Sequence, residues 1–184
     1  MFMNAYIFTA NPENPRCPDL SELAQEVRNN PVTGWSLYER GPWVDEYREG
    51  DLAFLLQQAT GNSTKKPRGI IGVGTVVPNE NGQIVYWSTF RLTGESGLFV
   101  DIRFDCLIDP VAEDYRRLDR DLLLKEGYYE FYRVRQSGWQ IKDSARAAEI
   151  RGLFLKQASS IPIWRATPSK GKRLIYNLKK GTFR

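Results

Sequence analysis

No histidine occurs among the 184 residues, so chemistry that needs an imidazole near neutral pH is excluded. That covers Ser-His-Asp and Cys-His hydrolases, His-Asn-His nucleases and most zinc hydrolases. The remaining groups able to move protons are carboxylates, lysines and tyrosines. Asp101, Asp105 and Asp109 are the set an enzyme could draw on. Asp101, Arg103 and Asp105 alternate along one strand face, which is a common solvated pattern, and no paired acid–base geometry follows from it. Cys17 and Cys106 are far apart and lack metal-ligand spacing. Reduced thiols, a cytoplasmic location and no metal or cofactor are therefore expected. The chemistry left open is binding.

A ligand site is suggested first by Gly69-Ile70-Ile71-Gly72-Val73-Gly74, an apolar strand with glycines at alternating places. Glycine weakens a strand and often marks close approach by another group. A dinucleotide fingerprint needs a third glycine three residues on and then a helix. Here that position is Val77, followed by Pro78 and the turn residues Asn79 to Gly82, so no helix N-terminus is available for a pyrophosphate. Gly50-Asp51 opens the preceding strand, and an aspartate in that place most often fixes a turn through backbone amides.

These residues need a scaffold, and the pattern supplies one. Hydrophobic residues make up 41% and charged residues 26%, ordinary values for one globular domain. No run is long and apolar enough to span a membrane, and the N-terminus does not resemble a signal peptide. Ala5 to Thr9 reads as a strand ended by Asn11-Pro12. Leu20, Leu23, Ala24 and Val27 form one helix face, with Asp19 as cap and Glu22 placed as in a capping box. Trp35 to Tyr38 is extended. Strands are predicted over 52–57, 70–77, 83–90 and 98–108, then helical or irregular chain over 115–125. A last helix from Asp143 is predicted to bury Ala147, Ile150, Leu153 and Phe154. Strands joined by turns, with a helix between the first two, predict a small mixed barrel.

Asn11-Pro12, Trp35-Ser36, Gly50-Asp51 and Gly69 to Gly74, in that order, resemble an EVE domain of the PUA-like superfamily. Trp87-Ser88-Thr89-Phe90 and Gln136-Ser137-Gly138 are similar to EVE modules of bacterial modification-dependent restriction systems. The resemblance covers roughly residues 4–157. It implies an α+β fold, a PUA-like mixed β pseudo-barrel with flanking helices, over residues 1–157, with a basic extension over 158–184. It also implies a pocket for one extruded, modified nucleobase. Such modules commonly precede a His-Asn-His nuclease domain, which a chain without histidine cannot contain, so either it works alone, or its nuclease partner is a separate subunit, or it is a fragment of a longer protein.

On this reading Trp35 and Trp87 are the expected aromatic walls, with Tyr38 as a third. Asn11, Ser36 and Gln57 are expected along the base edge. Arg40, Lys65, Lys66, Arg68 and Arg91 are expected to contact phosphates, adding affinity without base specificity. The net charge of +4 suits a polyanion. The expected function is thus a non-catalytic module that captures a flipped base of the 5-methylcytosine type in DNA, as the specificity module of a restriction or defence system. The alternatives are a PUA-like RNA-binding module and an interaction subunit that recruits a nuclease through the C-terminal helix and basic tail.

Overall fold

The computed structural model describes residues 4–37, 44–58, 68–134 and 137–159, with backbone alone for 132–133, 176–177 and 182–183. The fold is α+β, built on a mixed eight-stranded sheet that does not close on itself. Its strands are β1 (Ala5–Ala10), β2 (Val32–Ser36), β3 (Leu52–Gln57), β4 (Gly69–Val77), β5 (Val85–Thr89), β6 (Ser96–Leu107), β7 (Leu118–Asp119) and β8 (Trp139–Ile141). The main path runs β2-β6-β4-β3-β1-β8, with β5 against β6 and β7 against β4. The closed barrel expected from the strand count is therefore not formed. β2 and β8 are the two ends of the path, and among the described residues β2 pairs with β6 alone.

β1 and β3 pair in parallel, from Ala5 opposite Leu52 to Ala10 opposite Gln57. A parallel pair cannot be joined by a tight turn, and the crossover is α1 (Leu20–Asn29) followed by β2. Asp19 caps α1, its side chain accepting from the Ser21 and Glu22 amides. The helix buries Leu20, Leu23, Ala24 and Val27, the stripe its spacing predicted. Glu22 does not complete a capping box, since its side chain has no partner among the described residues.

Asp51 is buried and accepts from the Asn4 amide at 3.0 Å and the Arg48 amide at 2.8 Å. It fixes the turn into β3, as its position after Gly50 predicted. The glycines of β4 serve packing within the protein. A methyl group on Gly72 would lie 2.8 Å from Leu107 Cδ1 and 3.0 Å from Phe104 Cε1, and one on Gly74 would fall 2.8 Å from Phe104 Cα. The face they leave bare is filled by β6, which shifts register with a bulge between Val73 and Gly74. The expectation that a ligand approaches there is overturned.

The remaining helices are α2 (Arg120–Lys125), α3 (Glu130–Arg133) and α4 (Ser144–Ala158). Asp143 caps α4 as its sequence position suggests, and the helix buries Ala147, Ile150, Phe154 and Ala158. Leu153, expected on that face, is 38% exposed. The stripe advances from Phe154 to Ala158, which leaves Leu153 one position off it. The basic extension lies almost wholly outside the described residues, where Tyr176–Asn177 (β9) pairs with Thr182–Phe183 (β10). No helix among the described residues is long and apolar enough to cross a membrane.

Asp109 ties the end of β6 to α1. Its Oδ1 accepts from the Ser21 hydroxyl at 2.8 Å and from the Val111 and Ala112 amides at 2.9 and 3.0 Å. Burial alone would raise its pKa, but the two amides, the Ser21 hydroxyl and the Arg28 charge outweigh it and hold the carboxyl below its ordinary value of 3.8. A carboxylate with a lowered folded-state pKa stabilises the fold above the unfolded value and loses that contribution as pH falls through the folded one. A carboxamide in its place would keep the acceptor oxygen but not the charge. Asp109→Asn is expected to lower stability at pH 7 by about 1 kcal/mol, and to flatten the fall in Tm below pH 3.8, both measured by thermal unfolding at stepped pH.

Candidate functional site

A hollow of about 270 Å³ opens where β1 ends, beside the open edge of β2. At about 30 Å³ per water molecule, it has room for about nine waters, enough for one planar ring with its exocyclic groups. Thr9 and Asn11 border it from β1 and its exit, Asn14 and Arg16 from the next loop, Gln58 from beyond β3, and Ser137 from before β8. Gly34, Trp35, Ser36 and Leu37 all line it. Successive strand residues normally point to opposite faces, so four in a row mean that the hollow meets β2 edge-on.

That edge offers main-chain groups. The Leu37 amide donates to the Leu98 carbonyl at 2.8 Å, and the Phe104 amide donates to the Pro31 carbonyl at 2.8 Å. Between them the β2–β6 register is unbroken. Antiparallel ladders bond alternate residues, so odd-numbered residues 31 to 37 are those bonded to β6. The N–H and C=O of Gly34 and Ser36 therefore face the open side, where the hollow lies.

Trp35 is 5% exposed and belongs to the core, yet it lines the hollow. Its indole Nε1 is buried with no hydrogen-bond partner among the described residues. Such a group costs roughly 1–3 kcal/mol to leave unpaired. Trp35, expected as an aromatic wall, is thus a core indole that borders the hollow. The half-buried ring beside it is Phe99, packed on the buried Phe90 with ring centroids 5.0 Å apart. Above Phe90 lies Arg16, its guanidinium carbon 4.8 Å from the ring centroid and its Nε 2.7 Å from Glu95 Oε2.

The loop that carries Arg16 is pre-shaped by paired turns. Asn11 Oδ1 accepts from the Glu13 amide at 3.0 Å, and Asn14 Oδ1 accepts from the Arg16 amide at 2.9 Å. Each asparagine precedes a proline and uses its carbonyl oxygen to hold its own turn, which leaves the side-chain NH₂ as its contribution to the hollow. Across the hollow, Ser137 Oγ accepts from the Thr9 amide at 3.1 Å and sits 3.2 Å from Thr9 Oγ1. Gly138 follows with φ +92°, donating its amide to the Ile7 carbonyl at 2.9 Å. Only glycine takes that conformation readily, and a Cβ there would also strike the Tyr47 hydroxyl.

Of the expected site residues, the structure brings together Asn11, Trp35 and Ser36. Gln57 is not with them. Its Oε1 accepts from Arg117 Nη2 at 3.0 Å on the other face, while the next residue, Gln58, turns to the hollow and donates Nε2 to the Val134 carbonyl at 3.0 Å. The sequence reading missed by one residue, which in a strand means the opposite side. Trp87 is 63% exposed and does not line the hollow. It pairs with Leu98, whereas Tyr86 pairs with Phe99, so alternation sends Trp87 away from the aromatic wall.

Arg91 is paired with Glu26 at 3.5 Å and borders a neighbouring hollow rather than this one. Arg68 is half-buried, its carbonyl accepting from the Arg120 amide at 3.0 Å, and it borders neither hollow. Tyr38, Arg40, Lys65 and Lys66 lie outside the described residues. Arg16, Asn14, Gln58, Phe90 and Phe99 were missed as site residues. The repeat of Asn11-Pro12 in Asn14-Pro15 was a legible sign of a built loop, but nothing in the sequence tied Phe99 to it.

The hollow holds no activated nucleophile among these residues. Cys17 borders it, but burial pushes its thiol up to about 11, which keeps it protonated at neutral pH. The three carboxylates an enzyme could have used are dispersed among separate partners. Asp101 accepts from the Tyr86 hydroxyl, Asp105 pairs with Arg151 at 2.9 Å, and Asp109 is held at α1. Among the described residues no group of three or more Cys, Asp or Glu side chains is placed to hold a metal ion. Comparison with protein-family models and with curated proteins finds no match to this chain.

Proposed function

We propose that this chain is a non-catalytic nucleic-acid-binding module, a PUA-like domain of the EVE type, that captures one modified base of the 5-methylcytosine class in DNA. The observation that carries the reading is convergence. Asn11, Trp35-Ser36 and Ser137 come from three distant segments of the resemblance and border one hollow of about 270 Å³. Their chemistry suits a base. Phe99, half-buried, supplies flat apolar surface, and stacking returns about 1–3 kcal/mol per base, comparable with the few kcal/mol that extrusion costs. The Gly34 and Ser36 main chain and the Asn11 amide can meet a base edge. Arg16 serves a phosphate. The natural setting proposed is the specificity module of a restriction or defence system whose nuclease is a separate subunit.

Titration of modified and plain oligonucleotides, each as DNA and as RNA, tests this directly. The modified DNA is expected to bind about 10–200-fold more tightly than its plain counterpart, the range one methyl group gives in an apolar pocket. Tighter binding of the modified RNA would instead make this an RNA reader. Arg16→Ala should weaken all four alike and reduce the slope of log affinity against log salt by about one. Equal, weak binding of all four with a common salt slope would leave only backbone attraction and dismiss the pocket.

A further inference from the structure

A second hollow, of about 260 Å³, adjoins the first. Both are bordered by Trp35, Phe90, Phe99, Gly34 and Arg16, so they adjoin along these shared residues. From this we infer that the second hollow takes the base of the nucleotide next to the captured one, in a single strand, and prefers a base bearing an exocyclic amino group. The inference rests on the reading that the first hollow holds a base.

Arg16 is the first argument. It borders both hollows, fixed over Phe90 and against Glu95, which is where the phosphate joining two adjacent nucleotides would pass. A single large substituent on one base would have no use for a cation there. The second argument is the far side of the hollow, formed by α1. Asp19 spends its carboxylate on the Ser21 and Glu22 amides at 2.8 and 3.0 Å, and Glu26 is paired with Arg91 at 3.5 Å. Glu22 is exposed, borders the hollow and has no partner among the described residues. A carboxylate accepts from the amino group of cytosine, as carboxylates do in base-edge readout, and equally from that of adenine or guanine. Thymine and uracil offer it one N3–H flanked by two carbonyl oxygens that oppose the charge, which makes them the poorer partners. Two neighbouring bases each held in its own hollow cannot stay stacked and paired in a duplex, so the preferred ligand is single-stranded.

Fluorescence anisotropy on short single-stranded oligonucleotides tests this, with the modified base central and the neighbour on each side varied through all four bases. On one side, cytosine, adenine or guanine should bind at least about fivefold more tightly than thymine, the low end of what one base-edge contact gives. Glu22→Ala should level that difference while the ratio of modified to plain binding persists, and Glu22→Asp should restore part of it. Circular dichroism checks that the variants remain folded. If the neighbour's identity is immaterial while modified still exceeds plain, the second hollow is not a base site and the first stands. If the neighbour preference survives Glu22→Ala, the assignment of Glu22 is overturned. Tighter binding to the matched duplex than to the single strand overturns the inference as well. No preference of any kind, or no binding, removes both hollows from consideration.

Discussion

Trp35→Phe should leave both folding stability and binding of the modified oligonucleotide nearly unchanged, because the indole N–H it removes is buried out of reach of the hollow. Two opposing effects explain the stability. The smaller ring leaves a gap in the core, where Trp35 is 5% exposed. Against this, removing a buried indole N–H that has no partner among the described residues relieves a desolvation penalty of roughly 1–3 kcal/mol. Trp35→Ala is a different experiment. It truncates a core aromatic side chain and should cost about 3–5 kcal/mol of stability, so lost binding in that variant would report on folding. Urea unfolding and anisotropy on the phenylalanine variant separate the two. Affinity weakened about threefold or more there, as loss of one hydrogen bond does, would show that the indole N–H is reached when a base binds.

Gly74→Ala should be among the most damaging single substitutions, at about 3 kcal/mol, the upper part of the range for overfilled interiors. The added methyl would meet the Arg103 carbonyl and lie 2.8 Å from Phe104 Cα. Both are backbone, fixed by the β4–β6 ladder at its bulge, and neither can rotate aside. Gly72→Ala should cost less, because its nearest contact is Leu107 Cδ1 at 2.8 Å, the end of a side chain with other rotamers. At roughly 2–4 °C per kcal/mol for a chain of this size, Gly74→Ala lowers Tm by about 6–12 °C. Below the melting range its preference for the modified base should be intact. A variant that kept its Tm but lost that preference would return the glycine strand to the binding site.

The parts of the fold legible in the sequence are those with strong local signals. Leu52–Gln57 was bounded correctly because a turn aspartate precedes an unbroken apolar run. α1 was legible in its cap and its stripe. β8 and α3 were not, since three and four residues are too few to show a period. Openness of the sheet was also hidden, because strand patterns count strands without saying which edges meet.

The site was legible where side-chain type is distinctive, at Asn11, Trp35 and Ser36. It failed where alternation decides the outcome. Gln57 and Gln58 are identical in type, and only the register against β1 shows which one turns to the hollow. Trp87 fails for the same reason, its face being set by pairing with Leu98. The main-chain groups of Gly34 and Ser36 carry no sequence signature at all. They count only because β2 lacks a second neighbour among the described residues.

β1 is made before both of its neighbours, β3 on one side and residues 139–141 on the other. Ser137, which fastens the exit of β1, belongs to that late segment. A nascent chain therefore cannot hold this cavity until nearly the whole domain has left the ribosome. Joining partners so distant carries a loop-closure cost that grows with separation, and folds dominated by such contacts form slowly. The order of the strands thereby makes the cavity a late product of synthesis.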